Sequence, residues 1–91
     1  MIQVTEVKIY PFETGEPSSH IKAYADVTLA DSIVLKGFRI IASKSGGLFI
    51  GFPSRKGKDN AFHDMIIPKT AEMKNHLRDQ ILEEFKNYTL P

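Results

Sequence analysis

The chain has 91 residues, no cysteine and a formal net charge of +1. That length fits one domain spanning residues 1–91, and a domain so small buries only roughly 60 to 65% of the surface its unfolded chain exposes, so a second subunit is expected. The lack of cysteine excludes disulfides, thiolate metal sites and cysteine nucleophiles. No run approaches the ~18 apolar residues of a membrane span, and Met1-Ile2-Gln3-Val4-Thr5-Glu6 is not a positively charged start to an apolar leader; the expected location is the cytoplasm, away from membranes.

Hydrophobic periodicity then divides the chain into strands followed by one helix. Ile2 and Val4, then Val7 and Ile9, alternate with a slip of phase between Val4 and Val7, as a bulge or a change of covered face requires. This first strand runs to about Tyr10, and Pro11 to His20 has the composition of a loop. Ile21, Ala23, Ala25, Val27 and Leu29 alternate with polar partners as a half-buried strand, and Ala30-Asp31-Ser32 supplies a hairpin turn. From Ile33 to Ile41 apolar residues occur on both parities, which predicts cover on both faces for part of that strand.

Ser45-Gly46-Gly47 offers a tight turn, after which Leu48, Ile50 and Phe52 face one way and Phe49 and Gly51 the other. Gly51 inside this fourth strand implies a bulge or a close backbone approach, and Pro53 ends its pairing. A basic loop follows, then a short fifth strand from Phe62 to Ile67, stopped by Pro68. Thr70 is placed to cap a helix with Glu72 in its first turn, and Met73, Leu77, Ile81, Phe85 and Tyr88, with Leu82 beside them, form one apolar stripe along it. The fold class is α+β: an antiparallel sheet of four or five strands with one C-terminal amphipathic helix, dimerising through a strand edge or helix exchange so that an open edge is paired.

Charge is distributed unevenly along this order. Two cations stand against five acids from Met1 to Leu35, seven against two from Lys36 to Lys69, and three against four from Thr70 onward. A polyanion contact is therefore expected in the middle third. Arg55 offers a planar fork of donors suited to phosphate or guanine, and Lys56 and Lys58 are compact charges matched to phosphate.

The chain resembles the SpoVG family, the stage V sporulation protein G or septation-regulator proteins, over nearly its whole length. Val4-Thr5-Glu6-Val7-Lys8-Ile9 resembles the family's opening strand, and Ala25-Asp26-Val27-Thr28-Leu29 and Phe38-Arg39-Ile40-Ile41 its next two. The most specific stretch is Gly47-Leu48-Phe49 through Pro53-Ser54-Arg55-Lys56, then Asp59, Phe62, Asp64 and Pro68, at family spacing without a gap. The chain departs from the pattern at Lys58, Asn60, His63 and Ile67, where the family often has proline, glycine, arginine and histidine; Asn60 retains access to the left-handed turn conformation. The resemblance implies a dimeric, non-enzymatic regulator that binds DNA or RNA, is named for effects on septation and sporulation, and needs no cofactor. Its basic pair falls on Arg55 and Lys56, and its following basic position on His63.

Nucleic-acid contact is therefore expected at Arg55, Lys56 and Lys58, with Arg39, Lys44 and His63 as further candidates. The rival reading is an adaptor of the division machinery whose basic loop docks an acidic protein partner without touching nucleic acid; the blandest is a solvated loop. Phe49, Phe52 and Phe62 sit in apolar strand patterns and are expected in the core rather than as stacking platforms. His20, His63 and His76 show no metal-binding spacing. Ser54, His63 and Asp64 make a poor triad, because adjacent residues on one strand face opposite ways. Gly46-Gly47 lacks the following lysine and hydroxyl of a phosphate loop, and Asp64 is expected to pair with a cation or a turn amide.

Overall fold

The alternation in the second strand sets the architecture, because only one of its faces is apolar. The structure, a computed structural model, describes residues 1–11 and 20–89. Four antiparallel strands form a meander in the order β1 (Val4–Pro11), β2 (Ile21–Leu29), β3 (Ile33–Ala42) and β4 (Leu48–Gly51). A separate two-stranded ribbon, β5 (Ser54–Lys56) with β6 (Phe62–Asp64), precedes the helix α1 (Ala71–Thr89). This is the expected α+β class, but the strand expected over Phe62 to Ile67 ends at Asp64 and lies outside the main sheet, paired with Ser54–Lys56 of the expected loop. The loop expected over Pro11 to His20 falls outside the described residues between 12 and 19, and Pro11 itself ends β1.

Ala23, Ala25 and Val27 of β2, Phe38 and Ile40 of β3, Phe52, and Leu77 and Ile81 of α1 form the buried core. The two alanines leave room for larger side chains from the neighbouring strands and the helix. Thr70 caps α1: its Oγ1 accepts from the Met73 N–H at 3.1 Å and its carbonyl from the Lys74 N–H at 3.1 Å. The apolar stripe holds through Met73, Leu77, Ile81, Leu82 and Phe85, whereas Tyr88, its expected last member, is exposed.

Bulges explain where the strand patterns lose phase. Register shifts between Val4 and Glu6, so Thr5 is an extra residue and Val4 and Val7, an odd number apart, both pack against the core. Thr5 uses the freedom of the bulge to tie the next turn, its Oγ1 donating to the Thr28 carbonyl at 3.3 Å and accepting from the Asp31 N–H at 3.0 Å. That turn is the three-residue loop Ala30-Asp31-Ser32 between the paired Leu29 and Ile33, with Ala30 and Asp31 both at positive φ (49° and 52°) and the Ser32 N–H on the Leu29 carbonyl at 2.9 Å.

A second bulge sits opposite Asp26, where β3 spends two residues, Lys36 and Gly37, against one. Gly37 adopts φ +99°, a conformation that favours glycine. The extra residue switches parity, so Leu35 and Phe38 both face the core. The apolar residues on both parities of β3 thus reflect a phase change, and the expectation of cover on both faces fails at Ile33 and Val34, which are exposed.

Two of the three phenylalanines expected in the core are elsewhere. Phe52 is buried against Phe38, ring centroids 5.3 Å apart and inclined by 65°. Phe49 is 48% exposed and Phe62 73% exposed. Register puts Phe49 on the face opposite Ile50 and the core, and Phe62 belongs to the ribbon outside the main sheet. Replacing Phe38 by Ala should therefore lower stability by about 3 to 5 kcal/mol, while Phe62→Ala should cost under ~1 kcal/mol. Urea unfolding of the two variants checks this; comparable losses would place Phe62 in a core after all.

Candidate functional site

The ribbon begins where the main sheet ends. Pro53, which cannot donate to a ladder, is buried beside Gly37, whose missing Cβ would lie 3.8 Å from the Pro53 Cβ. Arg39 secures the same point. Its guanidinium lies against Gly51, with Nη2, Cζ and Nε 2.7 to 2.9 Å from where a Cβ would stand, and Nη2–H donates to the Phe52 carbonyl at 3.3 Å. The expected close approach at Gly51 is therefore made by a side chain, and Arg39 is half-buried and engaged at the ribbon's root.

Beyond Pro53 the chain doubles back. Ser54 pairs with Asp64, Arg55 with His63 and Lys56 with Phe62, and the Met65 N–H continues the ladder to the Pro53 carbonyl at 2.7 Å. The Gly57 N–H donates to the Ala61 carbonyl at 2.8 Å and the Asn60 N–H to the Gly57 carbonyl at 3.1 Å. Lys58-Asp59-Asn60 thus forms a three-residue loop whose last member takes the left-handed conformation, φ +64°. The turn between β3 and β4 is built the same way from Lys44-Ser45-Gly46, with the Ser43 N–H on the Gly47 carbonyl at 2.8 Å and Gly46 at φ +93°. Each loop places a lysine at its first position and a residue tolerant of positive φ at its third.

This geometry sorts the expected site residues. Arg55, Lys56, Lys58 and His63 share the ribbon and are exposed, while Lys44 is exposed on the other hairpin loop. Pairing and alternation put Arg55 and His63 on one face of the ribbon and Lys56 and Phe62 on the other. The three cations therefore present charge on two faces and a tip rather than as one row. Every residue from Lys58 to Met65 is exposed, so a flat or grooved partner can reach the whole hairpin.

Asp59 works inside the loop. Its Oδ1 accepts from the Ala61 N–H at 3.1 Å, and its carboxylate meets His63 Nε2 at 3.0 and 3.1 Å. Gly57 makes room for this contact, since a Cβ there would stand 2.8 Å from both Asp59 Oδ1 and His63 Cδ2. The His63 hydrogen bond first, and the Ala61 amide second, hold the Asp59 carboxyl below its ordinary value of 3.8. Sequence reasoning finds His63 through its position but misses the aspartate that orients it; the four-residue spacing across a Gly-Lys-Asp-Asn turn is the available signal.

Other groupings stay apart. Ser54 and Asp64 face each other across the ribbon while His63 takes the opposite side. Among the described residues, no group of three or more histidines or acids gathers that could hold a metal ion, and no helix is long and apolar enough to cross a membrane.

Because the folded state depresses the Asp59 pKa, its contribution is present above the ordinary carboxylate value and is lost as pH falls through the lower folded value. A carbon-detected NMR titration should give Asp59 a midpoint below 3.8, and His63→Ala should move that midpoint upward. An unchanged midpoint in the variant would deny the His63 contact in solution.

A family model described as SpoVG matches residues 2–87. A candidate septation protein SpoVG of Archaeoglobus fulgidus is 31% identical over 86 residues, covering 94% of this chain and 96% of that protein. Relatives with the same name from Bdellovibrio bacteriovorus and Treponema denticola are each 34% identical over 85 residues, covering 93% of this chain and 74% and 87% of their own lengths. These relatives are named for septation and not for a catalytic activity. Ser54-Arg55-Lys56 and the loop that follows lie inside the matched span, and the chain belongs to the SpoVG family.

Proposed function

We propose that this protein is a non-catalytic, nucleic-acid-binding regulator that grips phosphates with the β5–β6 ribbon. The observation that carries the reading is the exposed hairpin, with Arg55, Lys56 and Lys58 set around a tip whose own acid, Asp59, is occupied by His63 and the Ala61 amide. A two-stranded ribbon fits the major groove of duplex DNA. Cations on both of its faces suit the two phosphate backbones that line a groove, and Phe62 beside Lys56 adds an apolar surface. Lys44 supplies charge from a second loop, while Arg39 acts mainly by holding the ribbon's root.

Septation enters through the relatives' names, and control of transcription in the cytoplasm is the form of regulation a small DNA binder would exert there. Two copies would double the cationic contact. Self-association is favoured by the two unpaired edges of the main sheet, β1 and β4. A groove of about 510 Å³ also lies between Met1, Ile2, Leu29, Leu35, Ile66 and Met73, with the exposed Ile67 in its lining. Sedimentation equilibrium should return twice the 10.3 kDa chain mass; a single-chain mass at all concentrations would remove the dimer from this account.

Six cations on two ribbons would neutralise about six phosphates, so the affinity for duplex DNA should fall with salt at a log-log slope near ~−5. Arg55→Glu/Lys56→Glu/Lys58→Glu should abolish binding at moderate salt and flatten the slope while the circular dichroism spectrum stays unchanged. Unaltered binding by the folded triple variant would overturn the reading. The second reading, an adaptor whose ribbon docks an acidic protein, draws on the same exposed charge and is favoured if the wild type fails to bind nucleic acid even at low salt.

A further inference from the structure

The face of the main sheet opposite the helix carries a row of residues of which only Arg39 and Gly51 serve the ribbon, at its root. Cross-strand register places Tyr10, Tyr24, Arg39 and Gly51 side by side across β1, β2, β3 and β4. Phe49, paired with Ile41, lies one row away on the same face. Tyr10 is 47% exposed and Phe49 48% exposed, whereas their neighbours Ile9 and Ile50 are half-buried against the core. Large rings held half-open on a rigid sheet have packing reasons to be hidden.

Arg39 gives the row its particular character. The absence of a side chain at Gly51 lets the guanidinium lie down on the sheet, three of its atoms nearly equidistant from the vacant Cβ position, and the Phe52 carbonyl holds it there. A guanidinium pinned in this way presents a flat, charged plane next to Tyr24 and one row from Phe49. Other charges on the face are Lys8, Lys36, Glu6 and Asp26. Asp26 lies opposite Lys8 in the β1–β2 register and 3.8 Å from Lys36 Nζ, so the face is cationic on balance.

We propose that this face is a second site, distinct from the ribbon, which binds unpaired nucleobases of single-stranded nucleic acid by stacking on Tyr10, Phe49 and the plane of Arg39. Base stacking on aromatic rings and on arginine planes is how exposed sheets take hold of single strands, two or three bases at a time, and it tolerates any sequence because every base has a π-face. The width fits: three inter-strand spacings of ~4.8 Å set β1 and β4 about 14 Å apart. Lys8 and Lys36 then stand beside the row, where the phosphates of a strand crossing the sheet would run. The inference rests on the nucleic-acid reading above and adds to it a discrimination between paired and unpaired strands.

The test measures binding of a 12-nucleotide oligouridine and of a 16-base-pair DNA duplex by wild type, Tyr10→Ala and Phe49→Ala. Each variant should weaken single-strand binding about tenfold and leave duplex binding within about twofold. Tyr10→Phe and Phe49→Tyr, which keep a ring, should behave as wild type and guard against a folding artefact. Single-strand binding that survives in both variants overturns this site while leaving the ribbon reading intact. Failure of wild type to bind either probe overturns both. Loss of self-association in sedimentation without loss of nucleic-acid binding overturns the site by assigning the face to a protein contact.

Discussion

The edge-to-face contact between Phe38 and Phe52 decides where the chain leaves the main sheet, and the candidate site depends on that point. Phe52 enters the core one residue after β4 ends, and Pro53 follows it into the bulge at Gly37. With those two side chains buried, the backbone has little freedom at the next residue, and the ribbon starts from a fixed root. Arg39 reinforces the root from the other face through Gly51 and the Phe52 carbonyl. A charged hairpin that would otherwise wander on a linker is thereby held at a set place on a rigid scaffold, which lowers the entropy a partner must overcome on binding.

Bulges play an equally general part. The extra residues at Thr5 and at Lys36-Gly37 each reverse the parity of a strand. Both also serve a contact beyond their own strand, since Thr5 ties the turn at Ala30-Asp31 and Gly37 lies beside Pro53. The same sheet in strict alternation would present a different set of side chains to the helix.

Much of the fold is legible in the sequence because its signals are local. The alternation of Ala23, Ala25 and Val27, the helical stripe from Met73 to Phe85, the Thr70 cap and the phase slip near Val4 each state their structure within a few residues. What escapes is decided by distant contacts. Ser54-Arg55-Lys56 has no apolar alternation, so nothing local distinguishes a three-residue strand from a loop; its pairing with Phe62-His63-Asp64 comes from the turn between them. Phe49 and Phe62 read as core because alternation gives parity and cannot say which face another layer covers. The apolar residues on both parities of β3 mislead for a related reason, a bulge being indistinguishable from double cover without the partner strand. For the site, the basic residues are legible from the charge distribution and the family spacing, whereas their division between two ribbon faces, the Asp59–His63 contact and the engagement of Arg39 require coordinates.

The central claim is that the ribbon from Ser54 to Asp64 is where a polyanion first makes contact. The most direct measurement is a backbone amide NMR map of the protein with increasing amounts of a duplex DNA fragment. The account predicts the largest shift changes at Arg55, Lys56, Lys58 and Phe62, with smaller ones at Lys44 and little at the helix residues Leu77 and Ile81. Changes concentrated on α1 or around the apolar groove, with the ribbon amides unmoved, would contradict it.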